Sequence, residues 1–326
     1  MSTTTPSVAP VTGRVRAYFA PVNRTAGVPT LFDAAQLGSF NLNTPPAPWV
    51  DLGYVSQFVR KSGTKVDALR TGAPAMTATQ VRSEIEATVT LEFESWGRLQ
   101  ATLAAGSQQM NLLATAANAA PNGSGGVAAA AVPLLTGTGP ASTASALNVG
   151  ATAAAAFSIG GLVAVDVDYT GQLGYVGSGV STAYVRSASA VVSDINYVRR
   201  VTLNAGVVVA IADGVLQLAS PLPAGVPSVA MRVSQLVGFC DREGASFFQE
   251  WSALFVMQGA QGDRILYHYP RLQAMQGSAE VAQALAAPLE SIRLAGAFRA
   301  LPVRDANDGE TVLCFRSYLP AALRTV

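Results

Sequence analysis

The residues of this chain whose types could do chemistry are few, and their spacing argues against catalysis. His268, the one histidine, alternates with tyrosines in Leu266-Tyr267-His268-Tyr269, so it reads as a packed or hydrogen-bonded side chain. A general base would need a proton within reach and a group to orient it. Asp166 and Asp168 form a D-x-D pair of the kind that can hold a divalent cation, and on an alternating strand both would point to one face. Ser178 lies in Gly177-Ser178-Gly179, short of the G-x-S-x-G elbow, and reads as a glycine turn. Gly123-Ser124-Gly125-Gly126 has no following Lys-Ser/Thr, which rules out a phosphate-binding loop. Glu243 and Glu250, near Trp251, are the best pair for glycoside chemistry, which requires two carboxylates about 5 to 10 Å apart in a cleft lined by aromatics. Cys240 and Cys314 stand alone, so zinc lacks ligands. These residues assign no catalytic group, no metal and no cofactor.

The carboxylates that do cluster lie on a strand. In steps of two, Val81 to Trp96 places Val81, Ile85, Ala87, Val89, Leu91 and Phe93 on one face and Arg82, Glu84, Glu86, Thr88, Thr90, Glu92 and Glu94 on the other. The pattern predicts a strand with one buried face, long enough to reach roughly 50 Å. Glutamates about 7 Å apart on an exposed face stay ionised and solvated. Such a face holds a polyanion poorly and lets it slide past, which is the property of a conduit; an ordinary solvated sheet face is the other reading.

The composition agrees with a protein whose surface faces other protein. Of 326 residues, 50% are hydrophobic and 13% charged, and the net charge is +1. The mean hydropathy is +0.32. No basic domain is available for tight phosphate-driven binding of nucleic acid. The two cysteines are expected as buried free thiols, in keeping with assembly in a reducing cytoplasm. The first residues, MSTTTPSVAPVTG, lack a basic and then apolar signal pattern and read as a flexible arm over 1–12. Leu99 to Val165 contains no charged residue, yet its Ala, Gly, Ser and Thr and its three prolines exclude a membrane span.

The elements follow from the same patterning. Strands are predicted at Arg14 to Pro21 and Val50 to Val59, joined by a proline-rich stretch through Thr44-Pro45-Pro46-Ala47-Pro48. Arg60, Lys61, Lys65, Asp67 and Arg70 crowd a polar hairpin or loop reaching to about Met76, either solvated or contacting a neighbouring subunit. Trp96, Leu99, Leu103, Met110 and Leu113 recur at helical intervals, predicting a short helix interrupted near Gly106. Asn118 to Gly126 has linker composition, and the small-residue stretch to about Ser158 receives no secondary structure. From Gly161 short strands with turns predict a small sandwich or barrel. Strands are also predicted at Ser246 to Val256, Arg264 to Gln273 and, after the Asp308-Gly309 turn, Thr311 to Tyr318. The class is mainly β, a β-sandwich or barrel with a short helix. Its segments are 13–120, an inserted Ala/Gly-rich and β-rich domain at 121–240, and a closing part at 241–326.

A first strand near Arg14, the Asp51-Leu52-Gly53 strand, a polar loop through Lys65, and a long strand ending Leu91-Glu92-Phe93-Glu94-Ser95-Trp96 before a short helix resemble the tail tube proteins of tailed bacteriophages. Ala297-Phe298-Arg299-Ala300-Leu301-Pro302, Asp308-Gly309 and the closing strand are similar in style to that family's last strands. The resemblance covers roughly the first 120 residues and the last 70. It implies hexameric rings whose inner sheets join around a channel and which stack into the tube that conducts DNA from capsid to host. Glu84, Glu86, Glu92 and Glu94 would then line the channel, and Arg60, Lys61, Lys65 and Arg70 would dock on the adjacent ring. The implied partners are further copies of the chain, sheath, tail terminator and baseplate proteins, and viral DNA passing without specific binding; the implied location is the virion tail, after assembly in the host bacterial cytoplasm. The inserted segment would project outward. A capsid decoration or baseplate component shares these traits, and a β-sandwich carbohydrate-active enzyme is the remote alternative.

Overall fold

The computed structural model describes residues 12–22, 29–46, 48–119, 127–137, 139–166, 168–171, 176–177, 204–242, 250–259, 262–275, 280–281 and 293–320. The fold is mainly β, with two α-helices among the described residues. The chain divides into two compact units: Met1–Val22, Pro29–Gly106 and Phe248–Val326 form one, Asn23–Val28 and Ser107–Phe247 the other. In chain order the first unit opens with β1 (Thr12–Pro21), β2 (Val50–Thr71), β3 (Met76–Phe93) and helix α1 (Arg98–Ala105). The second unit supplies β4 (Gln108–Leu113), β5 (Val132–Pro133), β6 (Ala146–Asn148), helix α2 (Ala151–Ala154), β7 (Leu162–Asp166), β8 (Val176–Gly177), β9 (Ala205–Ala212), β10 (Val215–Leu218) and β11 (Arg232–Arg242). The first then resumes with β12 (Glu250–Gly259), β13 (Arg264–Ala274), β14 (Glu280–Val281), β15 (Arg293–Ala300), β16 (Val303–Arg304), β17 (Thr311–Val312) and β18 (Phe315–Leu319).

In the first unit the strands run β15-β3-β2-β1-β12-β13, each antiparallel to the next, and β13 turns back onto β15. That last pairing, Leu272↔Ala300 to Ala274↔Phe298, closes a six-stranded barrel. The first half of β13 instead takes β18, from Arg264↔Leu319 to His268↔Phe315. Closure leaves no edge among the six strands at that end. Registers Phe19↔Ala253 and Phe298↔Val89 put both phenylalanines inside. There Phe19 meets Trp251, Phe255 and Phe298 with ring centroids 6.3, 5.9 and 5.6 Å apart, close to the edge-on geometry that aromatic quadrupoles favour. On the outer face, Tyr18, Leu254, Val256 and Leu266 are buried under Phe40 and Trp49, with Phe32 packed beside them. β12 is therefore buried on both faces, which explains its continuous apolar run Leu254-Phe255-Val256 in place of alternation.

Two expectations need correction here. Only Ala87, Val89, Leu91 and Phe93 of the long strand have a buried face; Val81 and Ile85 are 58% and 51% exposed, because the sheet that buries their neighbours ends before them. The helix stops at Ala105, where Gly106 takes φ 64° and its N–H caps the Thr102 carbonyl, a left-handed exit that glycine adopts without strain. Met110 and Leu113 then lie on a strand, β4, drawn into extended form by pairing with β11 from Leu236↔Leu113 to Arg242↔Gln108. This places the junction of the two units at Gly106–Ser107.

The second unit is a sheet in the order β6-β10-β9-β7-β11-β4-β8, with β5 also on β11. β7 buries both faces: Val163 and Val165 pack with Leu147, Val208, Leu216 and Val233, while Ala164 packs with Leu113, Tyr169 and Leu236. The uncharged stretch to Ser158 is structured, contributing β5, β6 and α2, and it buries Leu134, Leu147, Val149, Ala154 and Phe157. Its lack of charge is the signature of a core wall. β9 and β10 meet through Asp213-Gly214, both at positive φ (50° and 79°), the two-residue turn whose twist matches a hairpin. Residues 178–203, which the predicted series of short strands from Gly161 also crosses, lie outside the described residues.

Candidate functional site

The β2–β3 pair continues far past the barrel. β1 accompanies β2 only from Val50 to Val55, and β15 accompanies β3 only as far as Arg299↔Thr88. The ladder between β2 and β3 nevertheless runs from Val55↔Phe93 out to Thr71↔Met76. Every residue from 61 to 86 is exposed. The result is a free two-stranded ribbon; ten steps at about 3.4 Å, from 61 to 71, give it a reach of roughly 35 Å. Register shifts at Lys65/Val66 and Leu69/Arg70 mark bulges, which bend the ribbon and sharpen its twist. A two-stranded ribbon alone is marginal in water, and this one exposes Val66, Leu69, Met76, Val81 and Ile85. It has the form of an element built to be covered.

The residues singled out for the channel and for docking sit together on it. Lys61↔Thr88, Gly63↔Glu86 and Lys65↔Glu84 are opposite pairs and share one face, while Ser62↔Ala87 and Thr64↔Ile85 face the other way. Arg299, opposite Thr88, belongs to the first face, and its Nη2 is 3.0 Å from Glu86 Oε1. Glu92 continues that face opposite Ser56 and Ala295. Lys61, Lys65 and Arg299 thus lie among Glu84, Glu86 and Glu92, and the face is mixed in charge. Strand alternation showed the glutamates; only pairing could reveal the cations brought between them. This face lies outside the barrel, whose interior is filled by aromatic and aliphatic side chains. Glu94 follows the end of β3, its N–H donating to the Tyr54 carbonyl at 3.1 Å.

Of the four cations expected in the docking loop, Arg70 pairs with Thr77 near the tip, and Lys61 and Lys65 lie along the shaft. Arg60 has a different place. Half-buried at the root, its Nε donates to the Tyr269 hydroxyl at 2.8 Å, and its guanidinium lies 5.6 Å from the centre of the Tyr267 ring. Burial pushes the Tyr269 phenol well up, so the hydroxyl stays neutral and accepts this bond. Arg60 fastens the ribbon to the barrel.

The remaining candidates are structural where they are described. His268 is 2% exposed, and its Nε2 is 3.2 Å from Ser252 Oγ; that hydroxyl donates to the Thr30 carbonyl at 2.5 Å, so the imidazole is the donor of the pair. Burial lowers its pKa to about 4. Asp166 and Asp168 do not share a face, because β7 ends at Asp166. Asp166 is buried with its Oδ2 accepting from the Tyr169 hydroxyl at 2.9 Å; Asp168 is exposed, accepts from the Thr170 N–H at 2.9 Å and lies 3.9 Å from Arg232. Among the described residues no three metal-ligating side chains converge. Glu250 is buried and gripped by Arg271 at 3.0 Å; Glu243, Ser178 and Gly123 to Gly126 fall outside the described residues. Cys240 and Cys314 are half-buried and lie in different units. No protein-family model matches the chain, and no curated protein is significantly similar to it.

Proposed function

We propose that the protein is a structural virion subunit, a bacteriophage tail tube protein whose hexameric rings stack into the conduit for DNA, and that it works by self-assembly, with no catalysis. The observation that carries this reading is the ribbon: two strands leave a closed barrel and expose both faces and both edges, an arrangement that gains stability only when another surface covers it. A further copy of the chain is the covering partner. The outer face of β15, β3 and β2, with Thr88, Thr90, Ala295, Ala297 and the paired charges, is the surface assigned to the channel. Mixed charge suits passage: phosphates meet carboxylates as well as cations, and no continuous basic track holds them.

Negative-stain electron microscopy with light scattering on the same sample tests the proposal. Hollow tubes or stacked rings with six-fold end views are the expected result. A monodisperse trimer would favour a capsid decoration or baseplate component instead. Turnover of a polysaccharide would overturn the non-enzymatic reading.

A further inference from the structure

The first unit carries a second polar feature, apart from the ribbon. We propose that the cleft formed by β1, β2, the segment 40–43 and the β12–β13 corner is a binding site for an oxyanion, a carboxylate or phosphate group. Its volume is about 480 Å³, and Arg16, Asn41, Asn43, Tyr54, Gln258 and Arg264 supply its polar lining.

The hydrogen bonds already made leave this lining rich in donors. Arg16 gives its Nε–H and one Nη2–H to Asp51 and one Nη1–H to Asn43 Oδ1. A guanidinium has five N–H groups, so one on each terminal nitrogen remains. The backbone N–H groups of Asn43 and Thr44 both donate to Asn41 Oδ1, at 2.9 and 3.3 Å. Backbone N–H and guanidinium groups only donate, so both amide oxygens are identified as acceptors already engaged, and the other ends of Asn41 and Asn43 are their NH2 groups. Asp51, the one carboxylate among the described residues here, also accepts from the Gly53 N–H at 2.9 Å. Asp263, beside Arg264 in sequence, is buried with its carboxylate against Gly259.

Charge points the same way. Arg264 makes no ion pair with any described residue, and Arg14 lies 5.2 Å from the centre of the Tyr54 ring. Two guanidinium groups of the lining, with Arg14 also on Tyr54, therefore stand against one carboxylate that already accepts three hydrogen bonds. Arg16 is also pre-positioned, braced by Asp51 and lying 5.7 and 5.5 Å from the Tyr18 and Tyr54 rings. Planar donors held in place suit a small oxyanion, which accepts two of them at once.

The test follows the melting temperature of the intact protein as inorganic phosphate or, separately, acetate replaces chloride at constant ionic strength. At ten times the dissociation constant the expected rise is about 2 to 4 °C. Arg264→Gln and, as a second variant, Gln258→Glu should each abolish it while the circular dichroism spectrum stays that of the wild type. A rise with both anions, or with phosphate alone, supports the site and tells carboxylate from phosphate preference. No rise above chloride, or an equal rise in the variants, overturns it. The site stands or falls independently of tube formation.

Discussion

Lys65 lies directly across the ribbon from Glu84, so the charge cluster that looked acidic along one strand is compensated by the strand beside it. The sequence separation of the two residues conceals a pairing that a hairpin makes immediate.

Breaking that pair should act on assembly more than on folding. Lys65→Glu sets like charges opposite each other, a cross-strand cost of about 0.2 to 1 kcal/mol, in a ribbon outside the barrel. The melting temperature should hold within about 2 °C, while sedimentation velocity shows fewer assembled particles. The double variant K65E/E84K should recover both; failure to recover would mean that a partner reads the individual charges.

Excising the ribbon is the sharper experiment. Joining Ser62 to Ala87, which face each other across the ladder, through a two-residue Asn-Gly turn removes only exposed residues. The shortened protein should melt within a few degrees of the wild type and remain a single subunit by light scattering. Tubes of normal length from this variant would refute the assembly role.

Arg60 should behave differently from Lys61, Lys65 and Arg70. Tyr269→Phe deletes the acceptor of a charge-assisted bond at the ribbon root and should cost about 1.5 to 3 kcal/mol in urea unfolding. Neutralising Arg70, exposed near the tip, should leave the urea midpoint unchanged.

His268 predicts an acid-sensitive fold. Its folded pKa of about 4 lies below the ordinary 6.5, so the unfolded chain binds the extra proton and stability falls as pH drops through that interval. The window of about 2.5 units corresponds to about 3 kcal/mol, all of it retained at pH 7 and lost by pH 4. Urea midpoints at pH 7, 5.5 and 4 should show this loss, and His268→Gln, which keeps a donor for Ser252, should flatten the part above pH 5, where few carboxylates titrate. An identical slope in the variant would move the effect elsewhere.

Much of this protein is legible in one dimension. Alternation at Ala87, Val89, Leu91 and Phe93 marks their buried face, the strands at Arg14 and Arg264 are present, and the Asp308-Gly309 turn forms, with Gly309 at φ 77° and its N–H on the Asp305 carbonyl. The Asp213-Gly214 hairpin carried the same signal and could have been read from it. These features depend on neighbours a few residues away, whose sterics and periodicity the chain itself specifies.

What the tertiary structure alone decided depends on partners distant in sequence. Val81 and Ile85 have the residue types of a core, yet no third strand of the described residues reaches them, and they stay exposed. Met110 and Leu113 fit a helix, yet β11 offers a ladder and they become strand. The closure of β13 onto β15, the cations set among the glutamates, and the donors gathered around Arg16 and Arg264 all arise from pairing. Strand alternation reports which side chains share a face, but the neighbouring strand determines what that face meets.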